Sequence, residues 1–118
     1  MEKEFIPYEQ ALAMKELGFD EPCLIKDTEQ GEDCAIYYEH ENGRPTYSQA
    51  FRWFRENYSF VGTVLGDGFN GELKGYYYSI TEDGWINYYE SIDNGAWYDT
   101  YEEAELECLK KLINIING

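Results

Sequence analysis

Few residues in this 118-residue chain combine a reactive type with a useful spacing. His40 is the only histidine, in YYEHENG. A lone imidazole needs partners for a catalytic or metal role, and no Cys/His spacing supplies them. A solvated histidine near a turn is the expected reading. Cys23, Cys34 and Cys108 stand far apart without a C-x-x-C pair, so they read as reduced thiols in small core sites. Neither a G-x-S-x-G elbow nor a G-x-x-x-x-G-K-[ST] phosphate loop occurs, so no motif stands behind an enzyme. The stretch GDGFNGE brings together Asp67, Asn70 and Glu72, oxygen types that suit Ca²⁺. It lacks the EF-hand register, and turn-forming Asp, Asn and Gly explain the same letters. No metal or cofactor is expected.

One acid stands apart. Glu105 interrupts the apolar face of a helix, at the place where two other helices carry Leu12 and Phe51. A buried carboxylate is costly unless it protonates or finds a partner. Arg52 or Arg55 on the second helix is the natural ion-pair partner. The functional alternative is an acid inside a small-molecule or enzyme pocket.

The elements that must position these residues begin alike: PYEQALAMKEL at Pro7, TYSQAFRWFRE at Thr46 and TYEEAELECLK at Thr100. Thr46 with Gln49, and Thr100 with Glu103, have capping-box spacing. Pro7 takes the same place in the first copy, where a missing N–H costs nothing. Helices are therefore expected over about 8–17, 47–58 and 101–116. Gly18 should close the first as a left-handed residue, with Phe19 folded back on Met14. Between helices the period becomes two, giving a hairpin near residues 23–40 and three strands between helices two and three. Asp83-Gly84 suits a type I′ turn, and Asn94-Gly95 offers another. The expected fold is a single α+β domain over residues 1–118, in the order α-β-β-α-β-β-β-α. Its three helices pack on one face of an antiparallel sheet.

With that turn, Tyr76, Tyr78, Trp85 and Tyr89 share one sheet face, and Tyr77, Ile86, Tyr88 and Ile92 share the other. One face must cover the helices. The second would leave aromatic rings exposed, offering an interface or a surface for self-association.

The formal charge is −15. Residues 1–43 hold 12 acids and 3 bases and residues 82–118 hold 9 acids and 2 bases, whereas residues 44–81 hold 3 acids and 4 bases. Such a field disfavours direct binding to nucleic acid or anionic lipid. It suits solubility, or an acidic face for a basic protein partner. The candidates for that face are Glu29, Glu32 and Asp33 in the first hairpin loop, and Glu102 and Glu103 at the start of helix three. No signal peptide or transmembrane run is expected, and the location is read as cytoplasmic.

The stretches FIPYEQALAMKELGFDEPC, PTYSQAFRWFRENY and TYEEAELECLKKLI resemble a group of short, uncharacterised proteins of gut Bacteroidales and of their tailed phages and mobile elements. The likeness covers both ends and the second helix, about half the chain. Residues 59–99 match less clearly. No activity is established for that group, so no catalytic residue carries over. The resemblance implies an accessory protein of a phage or mobile element, acting inside a bacterium. From sequence, the preferred function is an acidic protein-binding module that engages a host or phage protein through an acidic or aromatic face and counters a host system. The second is a small-molecule binder or enzyme with a pocket near Glu105. A concave pocket holding Glu105 with another titrating group would favour the second.

Overall fold

The computed structural model of the chain describes residues 5–21, 23–27, 36–40 and 44–118, of which 24–27, 36–40 and 69 are described by backbone alone. Each helix begins and ends for a local reason. Helix α1, Tyr8–Glu16, follows Pro7 and closes in a Schellman motif. The Gly18 amide donates to the Lys15 carbonyl at 3.1 Å, and the Phe19 amide donates to the Met14 carbonyl at 3.0 Å. Gly18 has φ 105°, where a side chain would be strained. Phe19 and Met14 are both buried, as the sequence predicts.

Helices α2, Tyr47–Tyr58, and α3, Tyr101–Asn117, each start at a threonine cap. Thr46 Oγ1 accepts from the Gln49 amide and Thr100 Oγ1 from the Glu103 amide, both at 3.1 Å, and each satisfies an orphan donor. The Gln49 side chain donates to Glu21 Oε1 at 3.2 Å, which ties the segment after α1 to α2.

The five strands fall in the predicted order but divide into two sheets. Strands β1, Cys23–Asp27, and β2, Ile36–His40, pair antiparallel with Cys23 opposite His40. Strands β3, Phe60–Phe69, β4, Glu72–Glu82, and β5, Ile86–Glu90, form a separate antiparallel sheet in sequence order. Period-two patterning marks strands but does not say which edges join. The stretch GDGFNGE is not an open loop either. It carries β3 through a register shift at Asp67/Gly68 into a tight turn, with Asn70 at φ 54° and Gly71 at φ 80°. Asp83 and Gly84, at φ 57° and 81°, make the predicted I′ turn.

A second shift, between Ile80 and Thr81, sets Ile80 opposite Tyr89. Tyr78, Ile80 and Tyr89 therefore point the same way, toward α3. Where β5 ends, the wholly buried Ser91 replaces a ladder partner: its Oγ accepts from the Tyr78 amide at 3.0 Å, and its amide donates to the Tyr78 carbonyl at 3.0 Å. The chain passes through a 3-10 turn, Ile92–Asn94, and the left-handed Gly95 before Tyr98 exchanges two 2.8 Å hydrogen bonds with Tyr76. Tyr78 lies between the rings of Tyr89 and Tyr98, with centroids 5.8 and 6.1 Å away.

Helices α2 and α3 lie against this sheet, and α1 packs on α3. Phe54, Met14, Ile6, Ile80, Leu109 and Leu112 are wholly buried. Helical spacing predicts an apolar stripe of Tyr47, Ala50, Phe51, Phe54 and Tyr58 along α2, and Trp53, outside it, is buried too. It sits edge-on to Phe19, Phe54 and Tyr58 at 5.5, 5.1 and 5.4 Å.

Candidate functional site

The second and third copies of the helix-start motif converge on one place. In each, the alanine is wholly buried, Ala50 in α2 and Ala104 in α3. The residue after it, Phe51 or Glu105, then faces a cleft of about 410 Å³ between α2, β3 and α3. Helical spacing brings Ser48, Phe51 and Arg55 of α2 to one side, and Tyr101 and Glu105 of α3 to the other. Gly62, Thr63 and Val64 of β3 form the floor. The first copy does not take part, and its Leu12 is exposed.

Close approach of α3 to β3 depends on Gly62. A Cβ there would stand 2.8 Å from Cys108 Sγ and 3.2 Å from both Leu112 Cδ1 and Phe51 Cε1. Glycine inside a strand often marks such an approach, and it was the one letter in FVGTVL able to point to the cleft. Ser48, Thr63 and Val64 carry no sequence pattern of their own. They join the site only through the fold.

Glu105 is partly buried, and among the described residues no ion pair holds it. The predicted arginine partner is corrected by geometry. Arg52 turns away to Glu21 Oε1 at 3.3 Å and to Glu56 at 4.0 Å. Arg55 shares the cleft, yet among the described residues no carboxylate lies within 4.0 Å of its guanidinium. Burial pushes the Glu105 carboxyl up to about 7, with a further contribution from Glu102. Near neutral pH Glu105 is a mixture of a hydrogen-bond donor and an anion. Tyr101, half exposed, meets Tyr76 edge-on at 6.0 Å. Its hydroxyl is pushed up by burial and then by Glu105. Behind the cleft Cys108 is wholly buried, and burial followed by the Glu105 charge pushes its thiol up to about 12. That thiol is protonated at neutral pH and makes a poor nucleophile.

The remaining candidates scatter. Glu102 and Glu103 are exposed in the first turn of α3. Glu29, Glu32 and Asp33 lie outside the described residues. The aromatic face of Tyr76, Tyr78, Trp85 and Tyr89 is corrected in part. Tyr78 is 5% exposed under α3, Tyr76 and Tyr89 are half-buried, and only Trp85, at the β4–β5 turn, is open at 80%. This is the face that the helices cover, with α3 against β3 and β4, so it offers no continuous outer patch for self-association. Ile86 and Tyr88 of the opposite set are half exposed, and the Tyr88 ring leans on Phe60 at 5.1 Å.

The oxygens once considered for Ca²⁺ are engaged apart. Asp67 Oδ2 accepts from Trp97 Nε1 at 2.6 Å, and Glu72 pairs with Lys74 at 2.6 Å. Among the described residues no cluster of three His, Cys, Asp or Glu could hold a metal ion. His40 is described only as a strand residue, and Cys34 lies outside the described residues. Among the described residues no helix is long and apolar enough to cross a membrane. No protein-family model, curated protein or solved structure matches the chain.

Proposed function

We propose that the chain binds a small molecule in the cleft between α2, β3 and α3. The observation that carries this reading is the concave site itself, which joins Glu105, Arg55 and Tyr101 over an apolar wall of Phe51 and Val64. Small-molecule sites combine such walls with a few convergent polar groups, at least one of them with a perturbed pKa. Nothing in the cleft supplies a nucleophile with an adjacent base, so binding is the reading and turnover is not part of it.

A fragment screen read by amide chemical shifts of the labelled chain tests it. Hits are expected to move the amides of Ser48, Thr63 and Val64 together. They should be lost in Ser48→Trp, which fills the cleft from an exposed position. Fragments that bind only elsewhere, or that ignore Ser48→Trp, would sink the proposal.

A second reading, an acidic surface for a basic protein partner, is favoured by the exposed Glu102 and Glu103 beside the cleft mouth. Its test is the association rate of a captured partner at low and high salt, for the native chain and for Glu102→Gln. Steered association slows with salt and with the lost charge. A rate that ignores both rules this reading out.

A further inference from the structure

The proposed cleft also carries an indication of what its ligand is charged with. The chain holds 24 acids against 9 bases, and four of those bases have a charged or aromatic partner among the described residues. Among the described residues Arg52 meets Glu21 and Glu56, Lys74 meets Glu72, Lys110 meets Glu107, and Lys111 lies over the Tyr89 ring at 4.3 Å. Arg55, like Arg44 and Lys111, has no carboxylate within 4.0 Å among the described residues, and of these three it alone lines the cleft.

Arg55 also lines a shallower depression with Ser59, Val61, Asp83 and Gly84, and it is the main cleft whose make-up points to an anion. Six of the eight lining residues come from residues 44–81, the one stretch of the chain with a net positive charge. The first turn of α2, which contributes Ser48, carries no acid. Two hydroxyl-bearing side chains, Ser48 and Thr63, line the same cleft as the guanidinium. A planar fork with five N–H donors matches a carboxylate in two parallel bonds. Hydroxyls can complete the oxygen's remaining acceptor sites. Phe51 and Val64 offer an apolar wall for the rest of the molecule, within a volume of about 410 Å³.

We infer that the cleft takes a small organic carboxylate, its anionic end on Arg55 and its apolar body against Phe51 and Val64. This rests on the small-molecule reading above. The opposed chemistry is a cation held by Glu105 against Tyr101, and the two make opposite demands on Arg55.

The test titrates the full-length labelled chain with three probes of one shape: benzoate, benzamide and benzylamine. Benzoate should move the amides of Ser48, Thr63 and Val64 saturably and bind more tightly than the other two. Arg55→Gln should weaken benzoate roughly tenfold or more, the range for a hydrogen bond to a charged group, and weaken benzamide by less, since its carbonyl accepts only a neutral bond. Arg55→Lys should recover part of the loss through charge alone. Arg55 is exposed, so these variants are expected to fold, and unchanged melting confirms it. Preference for benzylamine, or a benzoate affinity indifferent to Arg55→Gln, overturns the carboxylate while leaving a ligand-binding cleft in place. If none of the three probes moves those amides, the carboxylate is likewise rejected, and the wider fragment screen decides the cleft independently.

Discussion

At the scale of single residues, Glu105 couples the site to stability. Its ordinary value is 4.5 and in the fold it stands near 7, chiefly through burial. Between those values the folded chain holds a proton that the unfolded chain releases, so this group's contribution falls as pH rises. The contribution is complete below about pH 4.5 and lost above about pH 7. With allowance for partial exposure it is on the order of 2 kcal/mol. Glu105→Gln cannot ionise. It should match the native chain in acid and exceed it in melting temperature above neutrality, the difference growing across that window. Glu102 on its own helix, the Tyr47 and Tyr101 hydroxyls and the Cys108 thiol all bear on Glu105, and Arg55 of α2 lines the same cleft, so the profile should also respond to Glu102→Gln. A difference that is flat with pH would mean that Glu105 titrates alike in the folded and unfolded chain. Ser91 shows the opposite kind of residue. Ser91→Ala leaves the buried Tyr78 amide without its acceptor and should cost about 1–3 kcal/mol in denaturant unfolding. Glu105 was legible in the sequence because it broke an apolar pattern. Ser91 breaks none, since its role follows from where β5 happens to end.

At the scale of elements, the cleft exists because α3 sits close on β3. Gly62→Ala tests that contact. The added methyl meets Cys108, Leu112 and Phe51 at once, so relief requires α3 to move, and a loss of about 1–3 kcal/mol is expected. An unchanged melting temperature would show that α3 is not held there. Leu109→Ala, beneath the same helix, should cost ~2–5 kcal/mol, because the residue is wholly buried and its cavity is walled by packed side chains. A loss below ~0.5 kcal/mol would mean that another face of α3 is buried. The helices were readable because caps and apolar spacing are local: Thr46, Thr100 and the Gly18-Phe19 pair each do what their neighbours dictate. What was not readable is non-local. Ile80 faces Tyr89 only because the hairpin is shifted by a residue, and nothing local to either strand announces that shift. Trp53 was missed because it lies one residue outside the expected stripe. It is buried by Phe19, which arrives from the far side of the α1 cap. Likewise Arg55 is a cleft residue because it shares a helical face with Ser48 and Phe51, whereas Arg52 lies off that face and meets Glu21.

At the scale of the molecule, a formal charge of −15 makes salt a probe of everything the chain does. Self-repulsion opposes the compact state, so moderate salt should raise the melting temperature. The two functional readings then separate by sign. A basic protein drawn to Glu102, Glu103 and the acids of the first hairpin loop is attracted over long distances. That attraction fades as the screening length falls from ~10 Å at 0.1 M to ~3 Å at 1 M. A small carboxylate meets a different field. On approach it is repelled by the whole acidic chain, whereas its attraction to Arg55 acts at contact and within a partly desolvated cleft. Screening therefore removes more of the repulsion than of the attraction. Benzoate affinity should hold or rise between 0.1 and 1 M potassium chloride, with the on-rate increasing, while association with a basic protein slows by an order of magnitude or more. Titration calorimetry of benzoate at the two salt concentrations decides it. A benzoate affinity that collapses with salt would mean that the anion sits on exposed charge, outside the cleft that Glu105 and Arg55 share.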